Sequence, residues 1–247
     1  MLTAYAENST TDRDWLVLVS PFVWGAKVKG DVGIAGFKQT INIPFHDVAK
    51  NVDSVFMGNI EVTNRQFGAY IDVVSVDTSD KFHVKGLKVK NSIEQSSYAL
   101  GGFYRVYEKQ LDGNTVFGEP RHLTLDPIIG MRWNYLNAKI YVPQFQYHLS
   151  KTARWSSPFV GARVSIDLNE RWNFSGLMDF AEFSSRRKTR NLQGYLGYRT
   201  YLGQFPTTLR FGYRYLKQDY RSHDFTGNTF KYDIEQSGPV VGLTVRF

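Results

Sequence analysis

The sequence predicts an all-β fold: a transmembrane antiparallel up-and-down β-barrel of about ten strands, with eight and twelve as the neighbouring solutions. Three observations predict it. The C-terminal residues Pro239–Phe247 place Val241, Leu243, Val245 and Phe247 on one strand face and Gly242, Thr244 and Arg246 on the other, and the chain closes on an aromatic residue. Segments of this kind recur, each long enough for the about 9–11 residues that a tilted strand needs to cross a bilayer. The connections between them alternate between tight turns and longer polar stretches, the pattern of periplasmic turns and extracellular loops.

Period-two alternation marks strands at 15–30, 54–64, 67–78, 93–109, 123–141, 159–168, 171–183, 190–202, 206–220 and 231–247. Four of them share one plan: Ser20–Val28, Asp126–Trp133, Ser157–Val164 and Gly238–Val245 each carry Pro, then apolar residues, then Gly and a polar or basic residue. Pro enters where a ladder donor can be spared. Along 159–168, Val160, Ala162, Val164, Ile166 and Leu168 share the lipid face; along 190–202, Leu192, Leu196, Tyr198 and Leu202 do; along 206–220, Leu209, Phe211, Tyr213 and Tyr215 do. Strand 123–141 changes parity near Tyr135 and Leu136, which predicts a bulge.

Tight turns fall at Asn64–Gln66, Asn169–Glu170 and Gly203–Phe205, and longer loops at 31–53, 79–92, 142–158, 184–189 and 221–230. An even strand count puts both termini in the periplasm. Residues 1–247 then form a single barrel domain, with 1–14 a periplasmic N-terminal segment. The loop 31–53 holds a short amphipathic helix with Phe45, Val48 and Val52 on one face; it either folds into the lumen or packs on the outer rim. The connection 110–122 is long for the short-turn side, and sequence patterning does not explain its length.

Composition agrees with this reading. Mean hydropathy is −0.35 and no apolar run of transmembrane-helix length occurs, yet a barrel shows lipid only alternate residues. Cys is absent, which excludes disulfides and thiolate metal sites. No signal peptide is visible, so the chain reads as a mature form behind an initiator Met. The tryptophans Trp15, Trp24, Trp133, Trp155 and Trp172 sit near strand ends or on outward faces, as in interfacial girdles.

The net charge of +7 acquires meaning from its placement. The inward set holds Arg105, Arg132, Arg163, Arg199, Arg210, Arg214 and Arg246, faced by Glu61, Asp72, Asp167 and Asp179. Unpaired charges in a narrow barrel cost several kcal/mol each. Either the charges pair and plug the lumen, or the lumen holds water and its surplus Arg favours anions. At the outer surface Arg186, Arg187, Lys188 and Arg190, within Ser184–Arg190, could pair with lipopolysaccharide phosphates. No nucleic-acid recognition module surrounds them.

Catalytic signals are thin. His148 and Ser150 match a minimal His-x-Ser pair of an outer-membrane lipid A deacylase family, but Lys151 stands where that family has Asn. His46–Asp47 and His223–Asp224 lie in outer loops, where omptin-type proteases carry catalytic Asp and His, yet that family's paired-aspartate motif is missing. No cofactor or metal motif is present.

The chain resembles proteobacterial outer-membrane β-barrel proteins of about 250 residues, often termed porin-like and mostly without an assigned function. The resemblance rests on Ser20–Trp24, Asp53–Gly58, Leu168–Ser175, Gly212–Tyr220 and Ser237–Phe247. The chain departs from it in its basic charge and in Lys81, Lys85, Lys88 and Lys90. The resemblance implies location in the bacterial outer membrane, contact with its lipid and lipopolysaccharide, and delivery by the barrel-assembly machinery through the strand ending at Phe247. Together with the inner arginines it points to passive diffusion of small solutes, tilted toward anions, through an Arg-lined constriction with no catalytic step. The alternatives are a non-conducting structural or surface-interaction barrel and, third, a lipid-modifying enzyme.

Overall fold

A computed structural model describes residues 15–34, 37–84, 87–145, 147–223 and 229–247, so the N-terminal segment 1–14 lies outside the described residues. Thirteen strands form one antiparallel sheet. In chain order they are β1 (Leu16–Trp24), β2 (Lys27–Ile34), β3 (Phe37–Ile43), β4 (Val52–Thr63), β5 (Phe67–Val84), β6 (Leu87–Tyr104), β7 (Tyr107–Asn114), β8 (Pro120–Val142), β9 (Tyr147–Asp167), β10 (Trp172–Ser184), β11 (Arg187–Leu202), β12 (Phe205–His223) and β13 (Thr229–Arg246). A helix, α1 (Phe45–Lys50), separates β3 from β4.

The sheet closes because β1 pairs with both β4 and β13, making a ten-stranded barrel. The count of thirteen arises from two interruptions and one addition. β1 and β2 both pair with β13 and form one bent strand broken at Gly25 and Ala26. β6 and β7 both pair with β8 and are broken at Arg105 and Val106. β3 is a hairpin partner of β2 that stands outside the closed ring.

Local chemistry sets the tight turns. The Asn64 side-chain oxygen accepts from the backbone N–H groups of Gln66 and Phe67, both at 3.0 Å. Asn169 does the same for Arg171 and Trp172, at 2.9 and 2.8 Å. Each of these Asx turns satisfies two backbone donors where the strands reverse.

The long connection 110–122 is the β7–β8 hairpin. Its tip bends at Gly118, whose φ of 81° is the left-handed region glycine tolerates. The tip folds back on the short-turn end: Val116 N–H donates to Glu170 O at 2.9 Å, and Arg121 donates to the carbonyls of Asp167 and Leu168 at 3.0 and 2.7 Å.

Three sequence expectations change. The stretches 79–92 and 142–158 are mostly strand rather than loop, since β5 runs to Val84 and β9 begins at Tyr147. Within 31–53, too, β2 and β3 replace open loop, and the short helix expected there forms as α1. No bulge occurs near Tyr135: the β8–β9 register runs unbroken from Leu123↔Ile166 to Val142↔Tyr147. Parity is constant along β8, with Asp126, Ile128, Arg132, Asn134 and Leu136 all buried on the inner face. The surroundings change instead. Ile129 and Trp133 on the outer face are exposed to lipid, whereas Lys139 further along is exposed to water.

The third correction concerns tryptophan. Trp15 and Trp133 are exposed and Trp172 packs edge-on against Tyr198 at 5.0 Å, as a girdle requires. Trp24 and Trp155 are buried inside the barrel. Trp155 stacks on Tyr220 at 4.5 Å within an apolar cluster of Leu136, Ala153, Phe230, Tyr232 and Ile234.

Candidate functional site

Every arginine and carboxylate expected inside lies on the inner face, and the strand registers stack them in layers. At the short-turn end, Arg246 donates two hydrogen bonds to Glu119, at 2.8 and 2.7 Å. Glu119 also meets Arg65 from the β4–β5 turn. Burial pushes the Glu119 carboxyl up, but the hydrogen bond and charge of Arg246 and the charges of Arg65 and Arg199 outweigh it, holding the group below the ordinary value of 4.5. Phe117 beside it packs edge-on against Tyr201 at 5.3 Å, and the Arg246 guanidinium lies over its ring at 5.6 Å. Arg199 pairs with Asp167 in the same region.

One layer inward, Asp126 receives Arg163 at 2.8 Å and Arg105 at 3.0 Å, and Arg163 also donates to Glu61 at 2.7 Å. Next, Arg132 forks onto both oxygens of Asp179 at 2.9 and 3.0 Å, and Asn191 donates to the same carboxylate at 2.6 Å. Arg214 meets Asp72 at 2.8 Å. Above that layer polar pairs are neutral: Gln218 with Asn134 at 2.7 Å, and Gln95 with Gln236 at 3.2 Å.

Arg210 is different. Among the described residues it has no carboxylate at salt-bridge distance; it lies 4.0 Å over the Tyr195 ring. It borders an internal cavity of about 100 Å³ together with Glu61, Asp72, Arg132, Arg163 and Asp179. That volume holds a few waters. Trp24, Val74, Leu216 and Val240 close the lumen on its outer side.

Sequence reading missed Asp126, Glu119 and Arg65. Asp126 lies in the Pro-containing strand plan, and counting two-residue steps back from Arg132 would have placed it inside. Glu119 and Arg65 sit in turns, where period-two reasoning has no purchase.

The basic segment is partly engaged. Arg190 pairs with Glu182, and Arg187 donates to the Ser156 carbonyl at 3.2 Å, while Arg186 and Lys188 are exposed. His46 Nε2 lies 2.9 Å from Asp47 Oδ1 on exposed α1. The side chains of His148 and His223, and all of Asp224, lie outside the described residues. No group of metal-ligating side chains is found among the described residues.

Solved structures share the architecture. OmpT, an outer membrane protease of Escherichia coli, superposes with a TM-score of 0.57 at 10% identity, covering 96% of this chain and 98% of that one. This chain has the fold of an outer-membrane β-barrel. Ail of Yersinia pestis, solved with the heparin analogue sucrose octasulfate, matches at a TM-score of 0.42 and 10% identity over 94% of this chain and 98% of Ail. OprG of Pseudomonas aeruginosa matches at 0.35 and 14% identity over 94% of this chain and 95% of OprG. No protein-family model and no curated protein sequence matches the chain.

Proposed function

We propose that this barrel does not conduct at rest and works as a structural and surface-interaction protein, through its long outer hairpins and without a catalytic step. One observation carries the reading: the charges that would select ions are spent on each other. Asp126 and Asp179 are each 1% exposed and Arg132 and Arg214 each 2%. Charges so buried and paired leave an isolated cavity of a few waters rather than an open, wet constriction. The β7–β8 hairpin covers the short-turn end as well. On the outer surface, exposed Arg186 and Lys188 are the residues left to meet lipopolysaccharide phosphate, with Arg187 and Arg190 already engaged. At the other end Phe247, 58% exposed and packed on Phe205 at 5.2 Å, would be read by the barrel-assembly machinery. The test is single-channel recording in a planar bilayer under a salt gradient. A folded, silent barrel is expected, and discrete steps from the wild type would overturn the reading.

A second reading keeps the anion-tilted channel, and Arg210 favours it: a cation without a carboxylate partner among the described residues, beside the lumen cavity. Conduction then requires the inner pairs and the hairpin tip to part. If steps appear, Arg210→Glu should shift the reversal potential toward cations, and an unchanged potential would remove Arg210 from the pathway. Arg105, Arg132, Arg163, Arg199, Arg214 and Arg246 would act as secondary selectivity residues, positioned by Glu61, Asp72, Asp167 and Asp179.

A further inference from the structure

The barrel wall is incomplete on one side. β1 pairs with β4 only as far as Pro21↔Gly58. Beyond that point β2 leaves with β13 and β3, and among the described residues Val52–Met57 of β4 pair with β5 alone. The ladder is patched by a side chain: the Trp24 backbone N–H donates to the Met57 sulfur at 3.3 Å. Thioether sulfur is a weak, adaptable acceptor, so this edge is soft.

Behind the gap lies a cavity of about 650 Å³, roofed by α1 and lined mostly by aliphatic and aromatic side chains, among them Val23, Trp24, Phe45, Val48, Val55 and Val76. Two of these mark its course. Val23 is on the outer face and 62% exposed. Val55 shares the inner parity of Asn59 and Glu61, yet is 52% exposed. A lumen-facing valine that open and a lipid-facing valine lining the same cavity mean that the space passes through the wall. Its level is set by register: Val23 pairs with Val241, and Val241 with Phe211, both lipid-facing and about half exposed. The mouth at Val23 therefore faces hydrocarbon, while the far end, lined by Val28, Ile41, Ile93 and Asp47, lies at the level of the water-surrounded outer hairpins.

We propose that this lateral cavity takes one acyl chain of a membrane amphiphile, entering sideways from the bilayer. Its size falls within the roughly 300–1,000 Å³ of small-ligand sites, and its lining is apolar as those sites are. Trp24 supplies the polar contact: 4% exposed, its indole N–H meets no acceptor among the described residues. A buried donor left unpaired is costly, and the carbonyl oxygen of an ester or carboxylic acid would satisfy it where a bare alkane could not. α1 acts as the roof, with Phe45 laid against Gly25, where an added Cβ would sit 3.4 Å from the ring.

The test uses the full chain in phosphatidylcholine nanodiscs, with Trp24 emission read as the difference between wild type and Trp24→Phe. One arm carries bromine on the phospholipid chains; the other has unbrominated lipid titrated with dibromostearic acid. Trp24 emission should at least halve in one arm. Loss in the brominated phospholipid alone assigns a bilayer chain; saturable loss with dibromostearate alone assigns a free fatty acid. Ala26→Phe, which narrows the cavity, should restore Trp24 emission while lipid-facing Trp133 stays quenched, and Val55→Phe serves the same purpose if the first variant fails to insert. Trp24 emission untouched in both arms overturns the proposal, as does quenching that neither variant reduces. Neither result depends on whether the barrel conducts.

Discussion

The barrel has two interiors, and they are built from opposite chemistry on the same strand face. At membrane level the inner face of β8 contributes Asp126 and Arg132, tied to Arg163 and Asp179. Further along, that face contributes Leu136 to an apolar cluster with Trp155, Phe230, Tyr232 and Ile234. The same reversal occurs along β13, where Arg246 faces inward at one end and Phe230 at the other. The solvent outside decides which. Where lipid surrounds the wall, apolar residues go out and the polar remainder must pair within. Where water surrounds it, charged residues such as Lys139 and Lys217 go out and the apolar residues bury each other as in a soluble core.

That comparison can be broken by mutation. The largest effect is expected at Asp179. Asp179→Ala strands the buried Arg132 and should cost about 3–5 kcal/mol in urea unfolding. Replacing both partners, as in Arg132→Met with Asp179→Leu, should recover most of it. A single variant within error of wild type would mean that this layer is wet, and would favour the conducting reading.

The outer interior should answer to volume rather than charge. Phe230→Ala is expected to cost about 3–5 kcal/mol by cavity creation, and Leu136→Ala about 2–5. Insensitivity to both would show that the outer hairpins unfold apart from the membrane barrel.

The short-turn cap should respond to acid. A carboxyl held below its ordinary 4.5 contributes stability above that value and loses it as pH falls through the depressed folded value. Hydrogen exchange at the β7–β8 hairpin, corrected for the intrinsic amide rate at each pH, should therefore quicken below about pH 4.5 in wild type. In Glu119→Gln it should already be faster at neutral pH and flatter with acid. A wild type indifferent to acid would detach Glu119 from the cap.

The smallest effect belongs to the exposed Glu94–Lys139 pair at 2.7 Å. Lys139→Ala should leave the unfolding midpoint unchanged within error, because solvent and salt screen such pairs. A clear loss would place that pair in a drier setting than its exposure indicates.

Particular residues explain how much could be read early. The face occupied by Val160, Val164, Leu192, Leu196, Leu209 and Phe211 was legible because lipid admits one kind of side chain. The inward arginines followed as the complement. The identities of their partners did not follow, since Arg214 and Asp72 are 142 residues apart and meet only across the lumen. Trp155 was assigned to an interfacial girdle rather than to the interior because alternation carries no label for where the bilayer ends.

The amino-acid sequence by itself determined that the chain would be a closed barrel of about ten strands, with one apolar face and arginines inside, because period-two strands of bilayer length that face lipid can pair every backbone group only by closing. Only the tertiary structure decided that those arginines, Arg210 apart, are paired with carboxylates, that 110–122 folds back as a cap, and that the wall opens beside β4. Each depends on which strands meet across a curved, closed sheet, and that closure is a property of the whole ring rather than of any one strand.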